Sequence, residues 1–148
     1  RCEVTLLAGL PGMGKDYYIE SRCADMPVVS LDAIRREHKF SPTDKAANGW
    51  VAQTAKEQAR GYLRKGQDFI WNATNVTRQR RAQLVDLFIT YGARVKIVYI
   101  EKPYSVWRRQ NGIREYKVPE PVLDAMLDKL EVPRLTEAHE VVYAVQEQ

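Results

Sequence analysis

The stretch Gly9-Leu10-Pro11-Gly12-Met13-Gly14-Lys15-Asp16 constrains this chain more than any other. It follows directly on an apolar run, Val4-Thr5-Leu6-Leu7-Ala8, that reads as a buried strand, and it precedes a helical segment beginning near Lys15. The spacing Gly9-x4-Gly14-Lys15 is that of a Walker A phosphate cradle. Glycines let the backbone curl until several N–H groups point at one anion, and the following helix adds the positive end of its dipole. Lys15 then supplies a compact charge for the β- and γ-phosphates of a nucleoside triphosphate. Gly9, Gly12, Met13, Gly14, Lys15 and Asp16 are therefore the expected nucleotide-binding residues, with ATP as the expected nucleotide. Asp16 departs from the pattern, which places Ser or Thr after the lysine to hold Mg²⁺. A carboxylate is a legitimate Mg²⁺ ligand, so Asp16 is the expected metal residue. It also adds negative charge beside the triphosphate, which costs affinity unless the cation is bound.

Further apolar runs occur at Pro27–Leu31, Asp68–Asn72, Arg94–Ile100 and Glu140–Tyr143. Being rich in β-branched residues and bounded by Gly, Pro or Asn, they suit strands covered on both faces. Helical patterns lie between them. One runs from about Thr43 to Lys65 with Gly66 as its C′ residue. A second is capped by Thr77 and runs to Gly92. A third has Pro119 at its first position and continues to Leu130. This alternation predicts an α/β fold, a mainly parallel five-stranded sheet flanked by helices.

A length of 148 residues fits one domain, 1–148, and 45% hydrophobic residues suffice for a core without disulfides. The chain has no initiating Met, so a domain cut from a longer protein is an open reading. No apolar run approaches the roughly 20 residues that span a bilayer. Cys2 and Cys23 read as free thiols of a reducing compartment, and the expected location is cytoplasmic. His38 and His139 have no ligand-type partner nearby in sequence and are assigned no metal.

The net charge of +4 is unevenly spread. Arg78, Arg80 and Arg81 cluster, as do Arg108, Arg109 and Arg114; such clusters suit phosphate-rich ligands or form solvated helix faces. Asp32 ends the second strand, which is expected beside the first, so that the acid faces the crevice where α/β sheets bind ligands. There it either accepts a hydroxyl proton during attack on phosphorus or caps the following helix. Arg35, one turn on, would face the same way and grip an acceptor phosphate. Trp50 and Tyr17 are open to stacking on a base or to ordinary packing.

The phosphate loop, the Asp32-x-x-Arg35 pair, Asn72-Ala73-Thr74-Asn75 with its trailing arginines, and Arg108-Arg109 followed by Val118-Pro119 together resemble the polynucleotide 5′-kinase family of phage and bacterial RNA repair. The resemblance covers about residues 4 to 130. It implies a P-loop kinase fold with an arginine-bearing lid, and transfer of the γ-phosphoryl group of ATP to the 5′-OH of a nucleic acid. Under it Lys15 holds the donor, Asp32 is the general base and Arg35 grips the phosphate on the 3′ side of the acceptor nucleotide. Arg109 matches a lid arginine, and Arg114 matches a second one with a shift of one residue. Arg35, Thr74, Asn75, Arg80 and Val118 are the implied nucleic-acid contacts. Ala73 stands where the phage enzyme has an acid, which together with Asp16 points to a rearranged metal environment. A small-molecule kinase for a nucleoside, sugar or carboxylic acid remains open, because fold does not set substrate. So does a nucleotide-binding module that regulates a fused partner.

Overall fold

The computed structural model of the chain describes residues 2–41, 43–113 and 120–145; the side chains of Arg108 and of residues 111–113 lie outside that description. Strands β1 (Glu3–Ala8), β2 (Val28–Ser30), β3 (Phe69–Asn72), β4 (Arg94–Glu101) and β5 (Glu140–Val145) form one sheet in the order β2-β3-β1-β4-β5. All the pairings are parallel. The helices are α1 (Lys15–Arg22), α2 (Leu31–Glu37), α3 (Lys45–Lys65), α4 (Arg78–Thr90), α5 (Tyr104–Ile113) and α6 (Glu120–Lys129).

The pleat divides the apolar strand residues into two cores, since successive side chains point to opposite faces. Val4, Leu6, Phe69, Trp71, Val95 and Ile97 pack with α3 and α4. Leu7, Ile70, Val98 and Ile100 pack on the other face with α1, Trp107 of α5 and Leu123 of α6. Both faces are thus covered, which is why the strands read as continuous apolar runs rather than alternating ones.

Helix ends follow local chemistry. Thr77 caps α4 by accepting from the Arg80 N–H, and Gly66 closes α3 at φ 66°. The cap of α3 is Asp44, whose carboxylate accepts from the Ala47 N–H. Helix α5 runs through Asn111 and Gly112.

The second strand is not beside the first: β3 lies between them. All four residues of β3 are buried, whereas β2 has three residues and its Val28 is exposed. The more apolar run takes the inner position because it gains more from burial on both faces.

The arginine cluster of α4 divides between surface and interior: Arg80 is exposed and Arg78 half-buried. Arg81 is fully buried. Its guanidinium binds both oxygens of Glu137, at 2.7 and 3.3 Å, and donates to the carbonyls of Asn75 and Glu131. Arg78 pairs with Glu131 at 3.2 Å. These bonds tie the start of α4 to the segment between α6 and β5. For Glu137, burial alone would raise the carboxyl; hydrogen bonds from Arg81 and the Arg134 N–H, with the charges of Arg81 and Arg78, outweigh it and hold the group below its ordinary value.

Arg81→Ala leaves Glu137 without its bidentate partner and should cost about 3–5 kcal/mol in urea unfolding. Because the folded carboxyl lies below its ordinary value of 4.5, its contribution is whole above that value and falls away as pH drops through the lowered one. The acid limb of wild-type stability should therefore be steeper than that of Arg81→Ala.

Candidate active site

The loop between β1 and α1 has the expected form. Gly9 adopts φ 157°, and a Cβ there would lie 2.6 Å from the Ile100 carbonyl oxygen of β4. Its N–H donates to the Thr74 carbonyl at 2.9 Å. Gly14 stands at φ 105° as the N-cap of α1. Lys15 is buried, its Nζ donating to the carbonyls of Gly9 at 2.8 Å and Leu10 at 3.1 Å. The amine is thereby held inside the curve of the loop, where an anion cradled by the loop amides would meet it.

The outer wall of the loop comes from α5, a contribution that spacing alone does not signal. Trp107 is fully buried, and its indole N–H donates to the Pro11 carbonyl. The Lys102 N–H donates to the Met13 sulfur at 3.3 Å, and the Lys102 amine donates to Gln110. Met13 is thus a packing member of the loop as well as a backbone one.

The loop opens on a cleft of about 400 Å³ whose lining includes Lys15, Asp16, Asp32, Arg36, Asn72 and Gln110. Asp32 and Lys15 therefore share one cavity, although β3 separates their strands. The capping alternative for Asp32 does not hold: Ser30 caps α2 by accepting from the Ala33 N–H, which leaves the Asp32 carboxylate exposed. Arg35 donates to Asp32 Oδ1 at 2.7 Å and, through Nε, to Asn48 Oδ1 of α3 at 2.8 Å. The arginine that lines the cleft is the next one, Arg36. Ser30, Arg36, Asn72 and Gln110 were not singled out as site residues from sequence. Two of them carry a sequence signal: Asn72 as the first residue of the Asn72–Asn75 motif, and Arg36 as a second cation next to Arg35.

Asp16 accepts at Oδ1 from the Asn72 amide at 3.2 Å, which joins the first turn of α1 to the end of β3. On the other side of that turn a broad cavity of about 840 Å³ is bounded by Met13, Tyr17, Tyr18, Glu101, Lys102 and Tyr143. Tyr17 is 74% exposed and borders both cavities.

The expected nucleic-acid contacts scatter. Thr74 is half-buried and supports Gly9 through its carbonyl. Asn75 is buried at φ 49° and donates to the Leu7 carbonyl, so it braces the end of β1 instead of facing a ligand. Arg80 lines a separate pocket of about 30 Å³ with Leu31, Lys56, Trp71 and Asn75. Trp50 packs edge-on against His38 and Phe40, 46% exposed. Arg109 is exposed on α5, next to Gln110. Arg114, Val118 and Pro119 lie outside the described residues. Cys2 is buried and Cys23 half-buried, both free thiols; burial, with the Asp68 charge, pushes the Cys2 thiol up. Among the described residues no helix is long and apolar enough to cross a membrane.

A family model described as an AAA domain (AAA_33) matches residues 4–133. The chain belongs to this family of P-loop kinases. Its fold is that of solved kinases. It superposes on a sugar kinase from Janibacter sp. with TM-score 0.70 and 16% identity, over 98% of this chain and 86% of that one. It superposes on the APS kinase of Mycobacterium tuberculosis, solved with AMPPNP and APS, with TM-score 0.65 and 15% identity, over 100% and 90%. With a chain of the Pnkp1/Rnl/Hen1 RNA repair complex the TM-score is 0.76 at 15% identity, over 87% of this chain and 44% of that one. No curated protein matches the sequence. The chain is thus a phosphotransferase of the P-loop kinase type, built to bind a nucleotide.

Gly9→Ala forces a methyl group against the Ile100 carbonyl, a clash with backbone that no side-chain rotation relieves. It should lower stability by about 1–3 kcal/mol in thermal or urea unfolding. It should also weaken ADP binding in calorimetry, because the loop must shift to accommodate it.

Proposed function

We propose that the chain is an ATP-dependent polynucleotide 5′-kinase. The observation that carries this reading is Asp32, which lines the same cleft as Lys15 and is held by Arg35, itself braced by Asn48. The loop amides and Lys15 take the β- and γ-phosphates, and the cavity bounded by Tyr17 and Tyr143 accommodates the nucleoside of the donor. A 5′-hydroxyl enters from the α2 side. Its oxygen attacks the γ-phosphorus, its proton passes to a carboxylate oxygen of Asp32, and the bond to the bridging oxygen breaks to release ADP. Arg35 orients Asp32 through the 2.7 Å bond, and Arg35 or Arg36 meets the neighbouring phosphate of the acceptor. Arg109 and Arg114 close over the transferring group as lid residues.

Positioning is most of the catalysis in such a transfer, since the transition state is loose and its charge lies on the phosphoryl oxygens. Mg²⁺ would neutralise part of that charge, and Asp16 is the loop residue that offers it a carboxylate. The similarity to the Pnkp1-containing complex supports a polynucleotide acceptor, and the sugar and APS kinases support a small one. An acid, an orienting arginine and a second cationic side chain together favour an acceptor that carries its own phosphate.

The test is transfer of labelled γ-phosphate from ATP, with magnesium, to 5′-OH RNA and DNA oligomers, a 5′-phosphorylated control, free nucleosides and sugars. Label on the 5′-OH oligomers alone is expected. Label on a sugar or nucleoside but on no oligomer would overturn the acceptor assignment. Asp32→Ala should lower turnover by about 10²–10⁴-fold while ADP binding is retained. Arg36→Ala should raise KM for the oligomer about tenfold or more with little change in KM for ATP, as expected for one lost charge-assisted contact.

A further inference from the structure

We propose that Asp16 and Asn72 together form the divalent-cation end of the donor site, with the acidic and neutral positions exchanged relative to the usual P-loop arrangement. The proposal rests on the donor half of the reading above and not on the identity of the acceptor.

In P-loop phosphotransferases a neutral hydroxyl after the lysine and an acid at a strand end hold Mg²⁺ between them. Here the position after Lys15 is the acid, Asp16, and the end of the strand next to β1 is a neutral amide, Asn72, paired in register with Leu7 and one residue before Ala73, where the resemblance places the phage enzyme's acid. The two side chains meet at 3.2 Å, Asn72 Nδ2 to Asp16 Oδ1, and both line the cleft that Lys15 borders. Asn72 is 9% exposed, so its amide is a held group and not a surface one. The pair therefore carries one negative charge and one neutral amide, whose nitrogen faces Asp16 here and whose oxygen would be the metal donor, the same set of types with the charge moved across the gap. Carboxylate and amide oxygens are hard donors suited to Mg²⁺ or Mn²⁺. Among the described residues there is no cluster of three His, Cys, Asp or Glu. That fits a cation held mainly by nucleotide phosphates and water with one or two protein ligands, as is usual for Mg²⁺.

Moving the charge onto the loop has a consequence that a hydroxyl does not have. Without a cation, Asp16 repels the polyphosphate; with one, it attracts the metal–nucleotide complex. Asp16 should thus make nucleotide binding conditional on metal, which a merely structural carboxylate would not do.

The experiment measures ADP affinity by calorimetry in EDTA and in Mn²⁺ for wild type, Asp16→Ala and the exchanged double variant D16S/N72D, with Mn²⁺ electron paramagnetic resonance of the bound complex and thermal unfolding as a folding control. Wild type should bind ADP at least about tenfold more tightly with Mn²⁺ than in EDTA, the size of effect seen when a metal site loses a protein partner. Asp16→Ala should bind ADP more tightly than wild type in EDTA, yet lose most of the Mn²⁺ gain. D16S/N72D should recover that gain. An undiminished gain in Asp16→Ala would overturn the metal role of Asp16. A gain lost in Asp16→Ala and not recovered in D16S/N72D would overturn the exchange of roles. Failure of wild type to bind ADP in either buffer would sink the donor site itself, and the kinase reading with it. Failure of oligomers to accept phosphate, with the Mn²⁺ pattern intact, would remove only the polynucleotide acceptor.

Discussion

The close passage of Gly9 against the Ile100 carbonyl is the constraint on which the site depends. A chain that turns sharply at the end of a central strand must run past the neighbouring strand, and here the gap leaves no room for a Cβ. Gly9 then bonds to Thr74, Lys15 fills the inside of the turn, and Trp107 and Lys102 close it from outside. The loop is held by β1, the turn after β3, and the start of α5. Its shape is thus set by the packed body of the protein before any nucleotide arrives, which lowers the ordering cost of binding.

The arginines show how differently one residue type is used. Arg81 is buried on two carboxylate oxygens and two carbonyls and acts as a strut between α4 and the chain before β5. Arg35 is half-buried and holds Asp32 while leaning on Asn48. Arg36 lines the cleft. Sequence spacing cannot separate these roles, because the partners of Arg81 and Arg35 lie 56 and 13 residues away. A charged group is placed by whatever counter-charge or carbonyl the fold brings to it, since burial without such a partner is prohibitive.

The same logic explains the redistribution of the turn after β3. Thr74 and Asn75 are adjacent to the site in sequence and were expected at the acceptor. Their main bonds instead run inward, to Gly9 and Leu7, because the turn must satisfy the backbone groups at the end of β1. Asn75 suits that place by tolerating positive φ and by carrying an amide donor. Asn72, the last residue of β3, is the one that lines the cleft, where it bonds to Asp16.

Sequence by itself determined the strands, most helix ends and the phosphate loop, and it put Asp32 and Arg35 one helical turn apart. These are local: periodicity, capping residues and glycine requirements act within a few positions along the chain. The tertiary structure decided the order β2-β3-β1, the burial of Arg81, the wall that α5 builds against the loop, and the meeting of Asp16 with Asn72. Each of these depends on contacts between residues distant in sequence, chosen by which surfaces gain most from leaving water and which polar groups then need partners. No spacing rule along one chain encodes that competition.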